Sequence, residues 1–186
     1  MKRISSYLFV FLFIIAGCSN EKEIASVAVI DQQATNTVKQ TIKMPKDMPS
    51  TFDFMVRYGY GTVNKNEVNT FQGTITKDLI ANGTATTSMK FTKEELRSIY
   101  NKMREIDIMS GKKLETEVKG CETVPYNEDI WEVNVNGKTV TMSWTDRYCS
   151  QTLEAEQLLE LRQFVDLIVQ ERTEYKNLPE SEGGYE

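Results

Sequence analysis

From Thr51 onward the chain alternates. Phe52, Phe54, Val56 and Tyr58 interleave with Asp53, Met55 and Arg57, the period of two that marks a half-buried strand. Gly59-Tyr60-Gly61 and Asn64-Lys65-Asn66 then signal a turn region. A second strand is predicted over about 70–79 and a third over 84–91. Parity decides the loop between them. A two-residue turn at Asn82-Gly83 would set Ile75 against Lys90, apolar against charged. A three-residue loop, Ala81-Asn82-Gly83, instead opposes Leu79 to Ala85 and Ile75 to Met89, with Gly83 in the left-handed position of a bulged hairpin. The odd loop is therefore expected.

The pattern then changes period. Thr92 with Glu95 three residues on is a capping box, and the helix it announces carries Leu96, Ile99, Tyr100, Met103 and Ile106 on one stripe. Gly111 closes that region, and residues 112–129 are polar and irregular. Asn136-Gly137 is the favoured type I′ turn, and a two-residue loop there opposes Val133 to Val140 and Trp131 to Met142, with Trp144 diagonal to Trp131. Glu132, Asn134, Thr139, Thr141 and Ser143 fall on the other, solvent face. A last helix is predicted over about 153–172, with Leu158, Leu161, Val165 and Ile168 inside and Phe164 and Leu167 widening the stripe. The order β-ββ-α-ββ-α implies an α+β fold: an antiparallel sheet of about five strands with two helices packed on one face.

The flanks read differently. Residues 18–50 are rich in Glu, Lys, Gln, Thr, Asn and Ser and close on Pro45 and Pro49, the composition of a flexible spacer. Within it, Ile24-Ala25-Ser26-Val27-Ala28-Val29-Ile30 has the composition of an edge strand, although the segment as a whole leans toward disorder. Residues 51–172 then form a single domain, and 173–186 an acidic flexible tail.

Residues 1–17 have the layout of a secretory signal. Lys2 and Arg3 precede a ten-residue apolar run, Tyr7 to Ala16, whose helical rise of about 15 Å is roughly half a hydrocarbon core. The run closes on Ile15-Ala16-Gly17-Cys18, which resembles a bacterial lipobox. That resemblance covers only these first residues, and no family is recognised for 51–172. It implies cleavage before Cys18, acylation of that cysteine, and a protein anchored by lipid to the extracytoplasmic side of the cell membrane. Two buried acyl chains suffice for stable anchoring. The alternative is an ordinary signal peptide with a cysteine beside its cut by accident.

Charge and cysteine count narrow the rest. Cleavage removes Lys2 and Arg3, leaving 20 basic residues against 27 acidic ones, a net charge of −7. An acidic mature chain argues against nucleic acid as a partner and against electrostatic binding to anionic lipid. There is no histidine, which removes the commonest metal ligand and the Ser-His and Cys-His nucleophile pairs. No cofactor is implied. With Cys18 lipidated, Cys121 and Cys149 remain as an even pair in an oxidising compartment. A disulfide between them would close a loop of about 28 residues and contribute roughly 3.5 kcal/mol. The hairpin register sets Cys149 opposite position 124, three residues from Cys121, on a stretch that Pro125 already makes irregular. Two free thiols are the alternative, though no Cys-x-x-Cys spacing favours them.

Candidate chemistry is sparse. Trp131 and Trp144 on one face suit a sugar platform, but they share that face with valines and Met142, as a core would. Glu115, Glu117, Glu122, Glu128, Asp129 and Asp146 gather acids without the spacing of a calcium loop. Tyr58, Tyr60, Asn64 and Asn66 form a turn region of aromatics and permissive backbone, suited either to contact or to an ordinary turn. The expected function is binding of an unidentified envelope protein. The polar hairpin face, the Tyr58–Asn66 loop and the irregular 112–129 segment are the expected contact surfaces. A carboxylate enzyme acting on envelope glycan or peptide, and a carrier with Met89, Met103 and Met142 lining a cavity, are the alternatives.

Overall fold

The segment with the clearest alternation lies inside the sheet. In the computed structural model, which describes residues 42–185, β1 (Asp53–Tyr60) has antiparallel partners on both sides. β2 (Asn66–Asn69), β3 (Thr74–Asp78) and β4 (Thr84–Ser88) extend the sheet one way, and β5 (Asn127–Val135) and β6 (Lys138–Thr145) the other, in the order β4-β3-β2-β1-β5-β6. Helices α1 (Lys93–Glu105) and α2 (Leu153–Gln170), a short helical turn, α3 (Thr173–Lys176), and a 3-10 turn at Gly61–Val63 complete the fold. Phe54, Val56, Val68, Ile75, Trp131 and Val133 share one core with Ile99, Tyr100 and Met103 of α1 and Leu158, Leu161 and Val165 of α2. Both long helices thus cover the same face, and the class is α+β. Each fully buried large side chain contributes about 1.5–3 kcal/mol.

The sheet has six strands rather than five. Only Asn66 of β2 falls in the predicted turn region, residues 67–69 carry no predicted element, and the strand predicted from about 70 begins at Thr74. Asn66-Glu67-Val68-Asn69 holds one apolar side chain, so no alternation reveals it; backbone ladders to β1 and β3 make it a strand. Thr70 then ends it, its hydroxyl accepting Phe54 N–H at 2.7 Å and lying 2.9 Å from Asp53 Oδ1.

The two hairpins differ in how well they match expectation. β5–β6 has the expected register, Val133 opposite Val140 and Trp131 opposite Met142. In β3–β4, Ile75 faces Thr87 and Lys77 faces Ala85, two residues from the expected pairing. A slip of two keeps every side chain on its own face, so hydrophobic parity cannot choose between these registers. Gly83 does take the left-handed conformation, at φ 76°.

The α1 capping box forms as read, with Glu95 N–H bonding Thr92 Oγ1 at 3.2 Å and Thr92 N–H bonding Glu95 Oε2 at 2.7 Å. In α2, Thr152 caps the start and the helix ends at Gln170. Leu167 is 64% exposed rather than part of the inner stripe, which runs instead through Ala155 and Val169.

Residues 42–50 and 173–185, outside the expected domain, take part in the fold. Met44 is buried, and Tyr100 donates its hydroxyl to the Pro45 carbonyl at 2.7 Å, fixing residues 44–48 beside α1. The tail expected to be flexible instead crosses the β3–β4 loop. Ser181 Oγ donates to Asp78 O at 2.6 Å, Ala81 N–H bonds Glu182 O at 3.1 Å, and Tyr185 donates to Asp78 Oδ2 at 2.6 Å. Cys18, the signal segment and the 24–30 patch lie outside the described residues.

Candidate functional site

The four residues singled out around the first turn go to different places. Tyr58 points inward and donates to Asp166 Oδ1 at 2.6 Å, with the Arg162 guanidinium 5.2 Å from its ring centroid. Burial, reinforced by the Asp166 carboxylate, pushes its phenol well above the usual range. Tyr60 stacks on Tyr185 at 4.5 Å, with the rings inclined by 11°. Asn64 is buried at φ 24°, and Asn66 Oδ1 accepts Asp78 N–H at 2.9 Å. Three of the four therefore work inside the fold, and Tyr60 lies under the C-terminal segment.

Arg162 also bonds Asp129, Nε to Oδ2 at 3.1 Å, and Asp129 is 1% exposed on the inner face of β5. Burial raises its carboxyl to about 6; Arg162 opposes that shift and Asp146 adds to it. Its other oxygen has no hydrogen-bond partner among the described residues. Asp129 lines none of the clefts described here, so its shift belongs to the core.

The remaining candidates divide similarly. Trp131 and Trp144 are buried and present no open platform. The acidic residues disperse onto separate partners: Glu117 onto Lys113, Glu122 onto Arg147, Glu115 onto Lys119, and Asp146 onto Asn127. Among the described residues no group of acids and cysteines is placed to hold a metal ion. Met103 is buried in the core while Met89 and Met142 edge two different clefts, so the three do not line one cavity.

The three surfaces expected to make contact do converge. A cleft of about 360 Å³ opens at the β5–β6 end of the molecule, where the hairpin strands part. Thr62 enters it from the first loop, Lys119 and Tyr126 from the irregular segment, and Ser143 and Thr145 from the polar face of β6. Trp144, Arg147 and Tyr148 complete the wall. Tyr126 is set by backbone: its carbonyl accepts Gly61 N–H at 2.8 Å, and its ring lies over Gly61, at φ 45°, where a Cβ would come within 3.5 Å. The Arg147 guanidinium sits 5.5 Å from the Tyr126 centroid and is held by Glu122, Nη2 to Oε2 at 2.7 Å. Lys119 lies 5.7 Å from the Tyr148 centroid.

The cysteine pair shapes this end. Cys121 and Cys149 lie at disulfide distance, Cα atoms 5.5 Å apart, and Cys149 N–H bonds Cys121 O at 3.2 Å. The three-residue offset read from the register is absorbed on one side only. Asp146 N–H still bonds Asn127 O, but Arg147 O already accepts Thr123 N–H, so residues 124–126 bulge out. That bulge carries Tyr126 into the cleft. Arg147 and Tyr148 were not anticipated as site residues; the available signal was an Arg-Tyr-Cys run one residue beyond the end of β6.

Two aromatics capped by cations, flanked by carboxylates and hydroxyls, can stack on apolar groups and hydrogen-bond polar ones. No family model, curated protein or solved structure matches the chain, so the site is read from its own geometry.

Proposed function

We propose that this chain is an extracytoplasmic lipoprotein, held to the cell membrane by acylated Cys18, whose domain works by binding an envelope protein. The observation that carries the reading is the convergence of three separate segments on the cleft bounded by Tyr126, Arg147 and Tyr148. Tyrosine and arginine dominate the energetics of protein interfaces because they bury large area and still make directed polar bonds. The tether supports the same reading, since membrane attachment raises the effective concentration seen by a partner in the same envelope. Cys121–Cys149 holds the wall in place before binding, which lowers the ordering cost on association.

The test is site-specific photo-crosslinking in intact cells, with the crosslinker at Tyr148 and, as a control, at Thr86 on the opposite edge strand. One saturable adduct from position 148, absent at 86 and weakened about thirtyfold or more by Arg147→Glu, is expected. Equal labelling from both positions would remove the cleft from consideration. Cys18→Ala tests the tether separately, and should move the protein from the membrane to the soluble or secreted fraction.

A further inference from the structure

A second surface lies beside α1, on the side where the chain comes from the spacer. Lys93, Arg97 and Arg104 recur at four and seven residues, one stripe of the helix next to the buried stripe of Ile99, Tyr100 and Met103. Residues 46–48 run alongside, pinned by the Tyr100–Pro45 hydrogen bond of 2.7 Å, and Lys46 faces the same cleft of about 500 Å³. Four cations thus line it with one carboxylate, Asp47. None of the four forms an ion pair with a described residue, whereas Lys65, Lys77, Arg57 and Arg162 all do. Glu94 and Glu105 follow directly in sequence but sit about 100° round the helix from Lys93 and Arg104.

We propose that this cleft docks the domain on anionic phospholipid headgroups. The occupant follows from charge and from position. Unpaired cations around a concave surface suit phosphate, and Lys46 to Met48 both line the cleft and begin four residues after Ile42, the first described position. Between Cys18 and Ile42 are 24 residue steps, a reach of at most about 80–85 Å, so a lipid-anchored chain keeps the bilayer within reach of the domain. The docking site deepens the lipoprotein reading and rests on it for its setting. The mature chain's net charge of −7 argues against anionic lipid as a partner for the surface as a whole, but not for this cleft. A surface charge acts over a Debye length of about 8–10 Å, so the local cluster, not the sum, meets the headgroups. Docking would fix one orientation of the domain at the bilayer.

The test is flotation of the mature-length chain, residues 18–186 with Cys18→Ser so that no acyl chain contributes. Vesicles of pure phosphatidylcholine are compared with vesicles holding about 30 mol % phosphatidylglycerol. The expected result is at least tenfold stronger partition onto the anionic vesicles at about 50 mM salt, lost by about 300 mM. Each cation near such a surface is worth about fivefold, so Lys93→Gln, Arg97→Gln and Arg104→Gln together should cut the partition at least tenfold. The corresponding triple Glu variant should abolish it, with unchanged circular dichroism for both. Equal partition onto the two vesicles, or an unaffected triple Gln variant, overturns the proposal. Binding of soluble polyphosphate without vesicle binding overturns the membrane as occupant. Acyl labelling of Cys18 in cells is read independently, so failure of the lipoprotein reading and failure of docking remain distinct.

Discussion

The β3–β4 and β5–β6 hairpins occupy the two edges of one sheet, and both have an Asn-Gly pair near the turn, yet they are specified by different means. In β5–β6 the two turn residues do the work: Asn136 at φ 54° and Gly137 at φ 75° supply both left-handed positions of a type I′ turn. In β3–β4 residues 79–83 form a wider loop, and the left-handed residues are Ile80 at φ 59° and Gly83 at φ 76°. A β-branched residue at positive φ is an outlier that surrounding contacts must hold. Here Asp78 Oδ1 accepts Ile80 N–H at 2.8 Å, and Ser181, Glu182 and Tyr185 close over the loop. A hairpin encoded in its turn can be read locally; one clamped by residues a hundred positions away cannot.

Several changes would break or sharpen that contrast. The largest effect is expected at the open end of β5–β6. Cys121→Ser with Cys149→Ser should lower stability by about 3.5 kcal/mol in chemical denaturation. The wild-type melting temperature should fall on reduction and the double variant's should not; an unchanged wild type would show that the hairpin needs no staple.

Asp129, in the same hairpin, should make stability depend on pH in the sense opposite to a surface carboxylate. Its carboxyl is raised from 3.8 to about 6 by burial, so the protonated form favours the fold. The stabilisation is fully present below about pH 3.8 and is lost as pH rises through 6, about 3 kcal/mol in all. Urea midpoints between pH 4 and 7 should therefore fall more with rising pH in wild type than in Asp129→Asn. Parallel curves would assign the core polar pair no role in titration.

At the other edge the clamp is the target. Tyr185→Ala removes the stack on Tyr60 and the bond to Asp78, and should cost about 2 kcal/mol. Hydrogen exchange should quicken at residues 79–84 and stay unchanged at 131–142; a uniform change across both hairpins would mean that the clamp is global. The smallest effects are at the turns. Gly83→Ala and Gly137→Ala both meet open space, so each should cost only the left-handed penalty of about 1 kcal/mol. Equal costs in the two hairpins are expected, because that penalty is local even where the register is not.

Legibility followed the same line. The α1 cap, the Asn136-Gly137 turn, the inner stripe of α1 and the faces of β5 and β6 depend on residues within a few positions of one another, and each appears as read. β2 was hidden because a strand with one apolar residue has no period. Leu167 misled because an apolar side chain one residue from the inner stripe of α2 can face solvent at modest cost. The candidate site was half visible. Its three contributing surfaces were named separately, but Arg147 and Tyr148 gain meaning only when the bulge at 124–126 swings Tyr126 beside them.

What the sequence determined by itself is the class of fold, the alternation that assigns each strand residue to a face, and the helix starts, with two cysteines placed near the mouth of a hairpin. These follow from period, parity and local hydrogen bonding, which act between neighbours in the chain. The tertiary structure alone decided the two-residue register of β3–β4, the existence of β2, the burial of Asp129 against Arg162, and the seating of both flanks on the domain. It also separated charges that composition adds together, leaving four cations beside α1 without an ion pair among the described residues of an acidic protein. Parity cannot see a shift of two, and net charge cannot see position; both are settled only when distant segments exclude water from the same surface.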